Sequence, residues 1–196
     1  RKLPWSQEEE SVEFHVVKAS LSVARKKYVS VSVLADCLSG LSSHRPNAII
    51  LLVDKVIEEL TRGLEIPLKR QPQRMLSLVR LLGELYNYSV LSGPLIFEIL
   101  YLIINHGHEV PRDESNNTVP VEKYNPKVVT DIDPPSDCFR SQLVCELLNT
   151  SGRYFMLGVT RVKLGNFLIM FQRYLLSNPH LPAHIEFDVL DLFDTL

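Results

Sequence analysis

His106 and His108, one residue apart in NHGH, are the nearest this sequence comes to a metal-binding string. A structural or catalytic zinc needs three or four His, Cys or carboxylate ligands brought together, and no third has a convincing spacing from this pair. There is no glycine-rich phosphate loop, no G-x-S-x-G elbow and no H-E-x-x-H string. Acids do occur side by side, as in Glu58-Glu59, but neighbours on a helix project about 100° apart, a poor geometry for shared acid and base work. The expectation is a protein without catalytic residues, metal or cofactor. An enzyme would have to assemble its groups from several helices.

One spacing does gather charge. In VDKVIEELTRGLE, Val53 to Glu65, the acids Asp54, Glu58 and Glu65 recur after four and seven residues. On a helix they fall within about 40° of one another, roughly opposite Ile49, Val53, Val56, Ile57, Leu60 and Leu64. That makes an acidic ridge backed by an apolar stripe. The ridge could meet a basic partner or only water. Glu58 precedes Arg62 by four, the favourable order for an intrahelical pair of about 0.3–0.5 kcal/mol, and spacing alone favours the solvated reading.

A net charge of −2 argues against a broad basic surface for nucleic acid. Local basic clusters remain, at Arg25-Lys26-Lys27, at Lys69, Arg70 and Arg74, and at Arg161 with Lys163. Each could touch phosphate, and the first also suits the negative end of a helix. Cys37, Cys138 and Cys145 are odd in number and lack CxxC spacing, which fits buried reduced thiols. No run reaches the ~20 apolar residues of a membrane span and no signal peptide is recognisable. The expectation is a cytoplasmic protein without membrane contact, and the glycosylation-like strings at Asn87, Asn116 and Asn149 read as chance. Opening on RKLPWSQ and closing on DLFDTL, the 196 residues read as one helical-repeat domain cut from a longer chain.

The elements that must position these residues are helices. Apolar residues recur at three- and four-residue steps over 9–26, 30–42, 47–64, 72–88, 93–106, 135–150, 160–177 and 183–196, with little strand-like alternation. Short breaks such as SSHRPN and LSNPHLP make neighbours antiparallel, so the chain should fold as stacked hairpins, an all-α HEAT-like solenoid. Met75, Leu78, Val79, Leu82, Leu85 and Tyr86 form one core face, and Phe167, Met170, Phe171, Tyr174 and Leu175 another. Gly83 marks close approach by a neighbouring helix. Residues 107–134, rich in proline and polar side chains, form a long surface loop, at whose end Asp133 should cap the next helix with Pro134 in its first turn.

Particular strings then carry a resemblance. LLGELYNY (81–88), IDPPSDCFRSQLVCELLNTSGRYF (132–155) and FLIMFQRYL (167–175), with weaker support from ADCLSGL (35–41) and VDKVIEELTRGLE, closely resemble the third middle-domain-of-initiation-factor-4G module of the adaptor family of nonsense-mediated mRNA decay. The resemblance spans roughly residues 12 to 190. It implies a HEAT-like solenoid that binds the RNA-recognition-type domain of regulator of nonsense transcripts 3, with acids at the positions of Asp54, Glu58 and Glu65 meeting basic residues. It also implies a parent protein that bridges to the helicase regulator of nonsense transcripts 1 through a segment absent here. The loop from 107 looks longer than is usual in the family, and Lys55 and Arg62 flank the ridge. Two alternatives stay open. One is an RNA-binding solenoid using Lys69, Arg70 and Arg74; the other is a helicase-binding module like that of initiation factor 4G itself.

Overall fold

A computed structural model describes residues 12–66, 71–108, 117, 130–155, 158–178 and 181–196. These form eight α-helices: α1 Val12–Lys26, α2 Val31–Ser42, α3 Pro46–Glu65, α4 Pro72–Asn87, α5 Gly93–Asn105, α6 Phe139–Ser151, α7 Gly158–Leu176 and α8 Ala183–Thr195. Single 3-10 turns occupy Tyr28–Ser30 and Gly152–Phe155, and the described residues include no strand. Proline opens α3, α4 and α5, where its missing N–H costs nothing and its fixed φ suits a first turn. The expected start of the first helix, at residue 9, lies outside the described residues.

Each helix packs on the one two places along. α1 lies on α3 and α5 on α7 in one layer, while α2 lies on α4, α4 on α6 and α6 on α8 in the other. That is the arrangement of stacked hairpins, and it buries one contiguous core running from Val17 to Leu192. α4 sits centrally, burying Met75, Leu78, Val79, Leu81, Leu82 and Leu85, and α6 is its closest neighbour. A Cβ on Gly83 would stand 2.9 Å from two side-chain carbons of Thr150, so this crossing admits no larger residue without movement. Around Phe155, Tyr86 stacks at 4.7 Å and Phe97 tilts at 4.9 Å between ring centres. The whole aromatic face of α7, Phe167 to Leu175, is buried as the periodicity required.

Two expectations are corrected. Cys138 and Cys145 are buried, and burial pushes the Cys145 thiol up to about 12, but Cys37 is exposed. It stands off the inward stripe of Val31, Ala35 and Leu38. More consequential is Asp133, which caps no helix. α6 begins at Phe139, whose N–H donates to the Asp137 carboxylate at 3.0 Å, so the capping role falls four residues later.

Asp133 is instead wholly buried. Its Oδ2 accepts the Tyr174 hydroxyl at 2.9 Å, lies 2.8 Å from His108 Nε2 and stands 3.6 Å from Nε of Arg140. Arg140, equally buried, donates from Nη1 to the carbonyls of Ile103, Ile104 and His106 at 3.1, 3.2 and 2.7 Å. Those are carbonyls at the end of α5, where a helix lacks partners of its own. Gly107, at φ 76°, turns the chain out of α5 and lets Ile132 close over it. Most of the expected 107–134 loop lies outside the described residues, but near its end Asp133 is buried.

His108 is thus turned toward Asp133, and among the described residues no three His, Cys, Asp or Glu gather as a metal site. No helix of the described residues is long and apolar enough to cross a membrane. Removing one member of the buried pair strands the other. Arg140→Met should lower unfolding free energy by about 3–5 kcal/mol in urea titration, and Asp133→Asn with Arg140→Met should lose less than that single variant.

Candidate functional site

α3 is twenty residues long and divides into two faces. Ala48, Ile49, Leu52, Val53, Val56, Leu60 and Leu64 are buried, Ile57 partly so, and together they fix the helix's rotation about its own axis. Asp54 and Glu65 are consequently exposed, and Glu58 is partly exposed between them. At 1.5 Å per residue the ridge runs about 16 Å from Asp54 to Glu65. The structure therefore brings the three sequence-selected acids onto one solvent face.

The middle of that face is not purely negative. Lys55 Nζ donates to Glu58 at 2.8 Å, and Arg62 pairs with the other carboxylate oxygen. The hydrogen bond from Lys55 and the charges of Arg62 and Lys55 hold the Glu58 carboxyl below its usual range. Such solvent-exposed pairs are weak and exchange readily with other partners. At the ridge's end the influence of Glu65 reaches His106 on the turn after α5; burial pushes that imidazole down, and Glu65 partly opposes it.

Glu59, which spacing did not single out, does different work. One residue on from Glu58, it points across the helix bundle and binds Arg25 at the end of α1 and Arg74 in the first turn of α4. Arg25 Nε reaches its two oxygens at 3.2 and 3.0 Å. Burial alone would raise the Glu59 carboxyl, but hydrogen bonds from Arg74 and Arg25 with their charges hold it below 4.5. An acid at the edge of an apolar stripe, half turned toward neighbouring helices, is the signal that could have found it. The partners lie 34 and 15 residues away in sequence, beyond any helical spacing.

Of the basic residues considered for phosphate, Arg74 is engaged with Glu59 and reaches the Gln71 amide oxygen at 3.4 Å. Lys69 and Arg70 lie outside the described residues. Arg161 and Lys163 are exposed on the first turns of α7, remote in sequence from the others.

Comparison with known proteins places this geometry. The family model for the MIF4G domain matches residues 1–195. The chain belongs to the MIF4G domain family. Regulator of nonsense transcripts UPF2 of Arabidopsis thaliana is 40% identical over all 196 residues, which are 15% of its length. Regulator of nonsense transcripts 2 of Homo sapiens is 36% identical over 174 residues, 89% of this chain and 12% of that protein. Nonsense-mediated mRNA decay protein 2 of Saccharomyces cerevisiae is 32% identical over 166 residues, 85% of this chain and 14% of that protein. This MIF4G domain therefore spans 12 to 15% of the length of these relatives. The all-helical, HEAT-like architecture agrees with the family.

Because the Glu59 carboxyl is depressed in the fold, its contribution is complete above its ordinary value of 4.5 and is lost as pH falls through the lower folded value. Thermal melts in acid should show wild type losing stability more steeply below about pH 4.5 than Glu59→Gln. Parallel curves would assign Glu59 no such role.

Proposed function

We propose that this MIF4G domain is a non-catalytic interaction scaffold within an adaptor of nonsense-mediated mRNA decay. Its acidic ridge, Asp54, Glu58 and Glu65, receives a basic surface of the RNA-recognition-type domain of regulator of nonsense transcripts 3. The parent protein joins that partner to the helicase regulator of nonsense transcripts 1 through a segment outside this chain.

The observation that carries the reading is the division of α3. Seven apolar side chains are spent on the core, and the opposite side offers acids along about three turns of helix. An α3 held this firmly presents its charges without reorganisation, which lowers the cost of association. Complementary charge steers encounter and sets register. Lys55 and Arg62, which neutralise Glu58 in the free domain, are exposed and can swing aside for incoming arginines or lysines. The names of the relatives support the pathway.

Isothermal titration with the partner's RNA-recognition-type domain tests this. Wild type should bind, and Glu58→Arg with Glu65→Arg should lose about 2–5 kcal/mol of binding free energy per desolvated pair while retaining its helical circular dichroism. Equal binding by the folded double variant would remove the ridge from the interface.

A further inference from the structure

A cleft of about 390 Å³ opens beside the ridge, where the end of α1, the middle of α3 and the start of α4 meet. Arg25, Lys55, Arg62 and Arg74 line it together with Glu58 and Glu59. The six charges are organised as two sets of the same form. Arg25 and Arg74 share the Glu59 carboxylate, and Lys55 and Arg62 share that of Glu58. Each set carries two cations on one anion, so the cleft holds a surplus of two positive charges.

Glu59 holds Arg25 and Arg74 in place without exhausting them, and Glu58 keeps the exposed Lys55 and Arg62 close by. A guanidinium has five N–H donors. Arg25 spends Nε and Nη2 on Glu59, and Arg74 spends Nε there and Nη1 on Gln71. The four cationic side chains remain 33 to 71% exposed, whereas Glu59 is only 15% exposed. Spare donors therefore line an open cleft around a half-buried anchor.

We propose that this cleft binds the phosphate of a phosphoserine set in an arginine-rich peptide. A phosphomonoester carries about −1.5 to −2 near pH 7 and three strong acceptor oxygens, matching the surplus charge and the paired forks of Arg25 and Arg74. The surroundings select the kind of carrier. Asp54 and Glu65 stand exposed on the same helix, where they repel the successive phosphates of a nucleic-acid strand but attract basic residues flanking one phosphate. Phosphate enters the cleft, and the flanking arginines lie along the acids. This assignment does not depend on which folded domain meets the ridge.

Fluorescence anisotropy with a short, fluorescein-labelled, arginine-flanked phosphoserine peptide, its unphosphorylated twin and an oligouridylate distinguishes the outcomes. The phosphopeptide should bind about tenfold or more tightly than its twin. Lys55→Gln with Arg62→Gln, both on exposed side chains, should reduce that preference by about fivefold without shifting the melting temperature. Arg25→Gln with Arg74→Gln should abolish it, and the exposed pair carries the test if this variant melts early. Equal affinity for twin and phosphopeptide would overturn the proposal. So would a phosphate preference that survives loss of the cations, or tighter binding of oligouridylate with the same residue dependence, which would make the cleft a nucleic-acid surface.

Discussion

An arginine and an aspartate with almost no access to water hold the centre of this solenoid. Burying a charge is costly unless it is paired and its remaining donors are satisfied. Arg140 answers most of that demand by donating from Nη1 to three carbonyls at the end of α5 and standing beside Asp133, which in turn accepts from Tyr174 on α7, while Nη2 has no partner among the described residues. Burial and the neighbouring Asp133 charge push the Tyr174 hydroxyl far up, so it stays a donor. One buried cluster thus joins α5, α6, α7 and the segment just before α6. With α6 fixed there, the tight Gly83–Thr150 crossing fixes α4. α4 then supplies Arg74 to Glu59 and so bears on the candidate surface of α3.

The successive acids Glu58 and Glu59 show how one helix serves fold and surface at once. A rotation of about 100° separates them. Glu59 is turned toward α1 and α4 and acts as a structural anion between two arginines, while Glu58 stays on the solvent side with partners it can exchange. Binding at the ridge therefore need not disturb the packing beneath it. Charges of both signs within a few ångströms also make the surface selective. At physiological salt, screening over about 8 Å lets local arrangement, more than net charge, decide what docks.

Much of the fold was legible in the sequence because helical periodicity reports burial directly. The stripes of α3, α4 and α7 are buried as spaced, and Gly83 lies at the close crossing its lack of a side chain suggested. The exposure of Cys37 follows from its position outside the Val31, Ala35, Leu38 stripe, against the usual burial of cysteine. Asp133 misled for a physical reason. An acid before two prolines has the form of a helix start, and nothing local reveals partners 25 and 41 residues away. The Glu59 bridge was hidden in the same way, since burial and long-range pairing are properties of the packed chain. The acids of the ridge were legible as a face, and what meets that face is a matter of partner chemistry.

The most direct test of the central claim is a backbone-amide NMR titration of the isotope-labelled domain with the RNA-recognition-type domain of regulator of nonsense transcripts 3. The account expects shifts concentrated in residues 54–65, with the amides around Arg140 unmoved because the buried cluster is not part of the surface. Shifts concentrated on α7 and α8, with 54–65 unchanged at saturation, would contradict it.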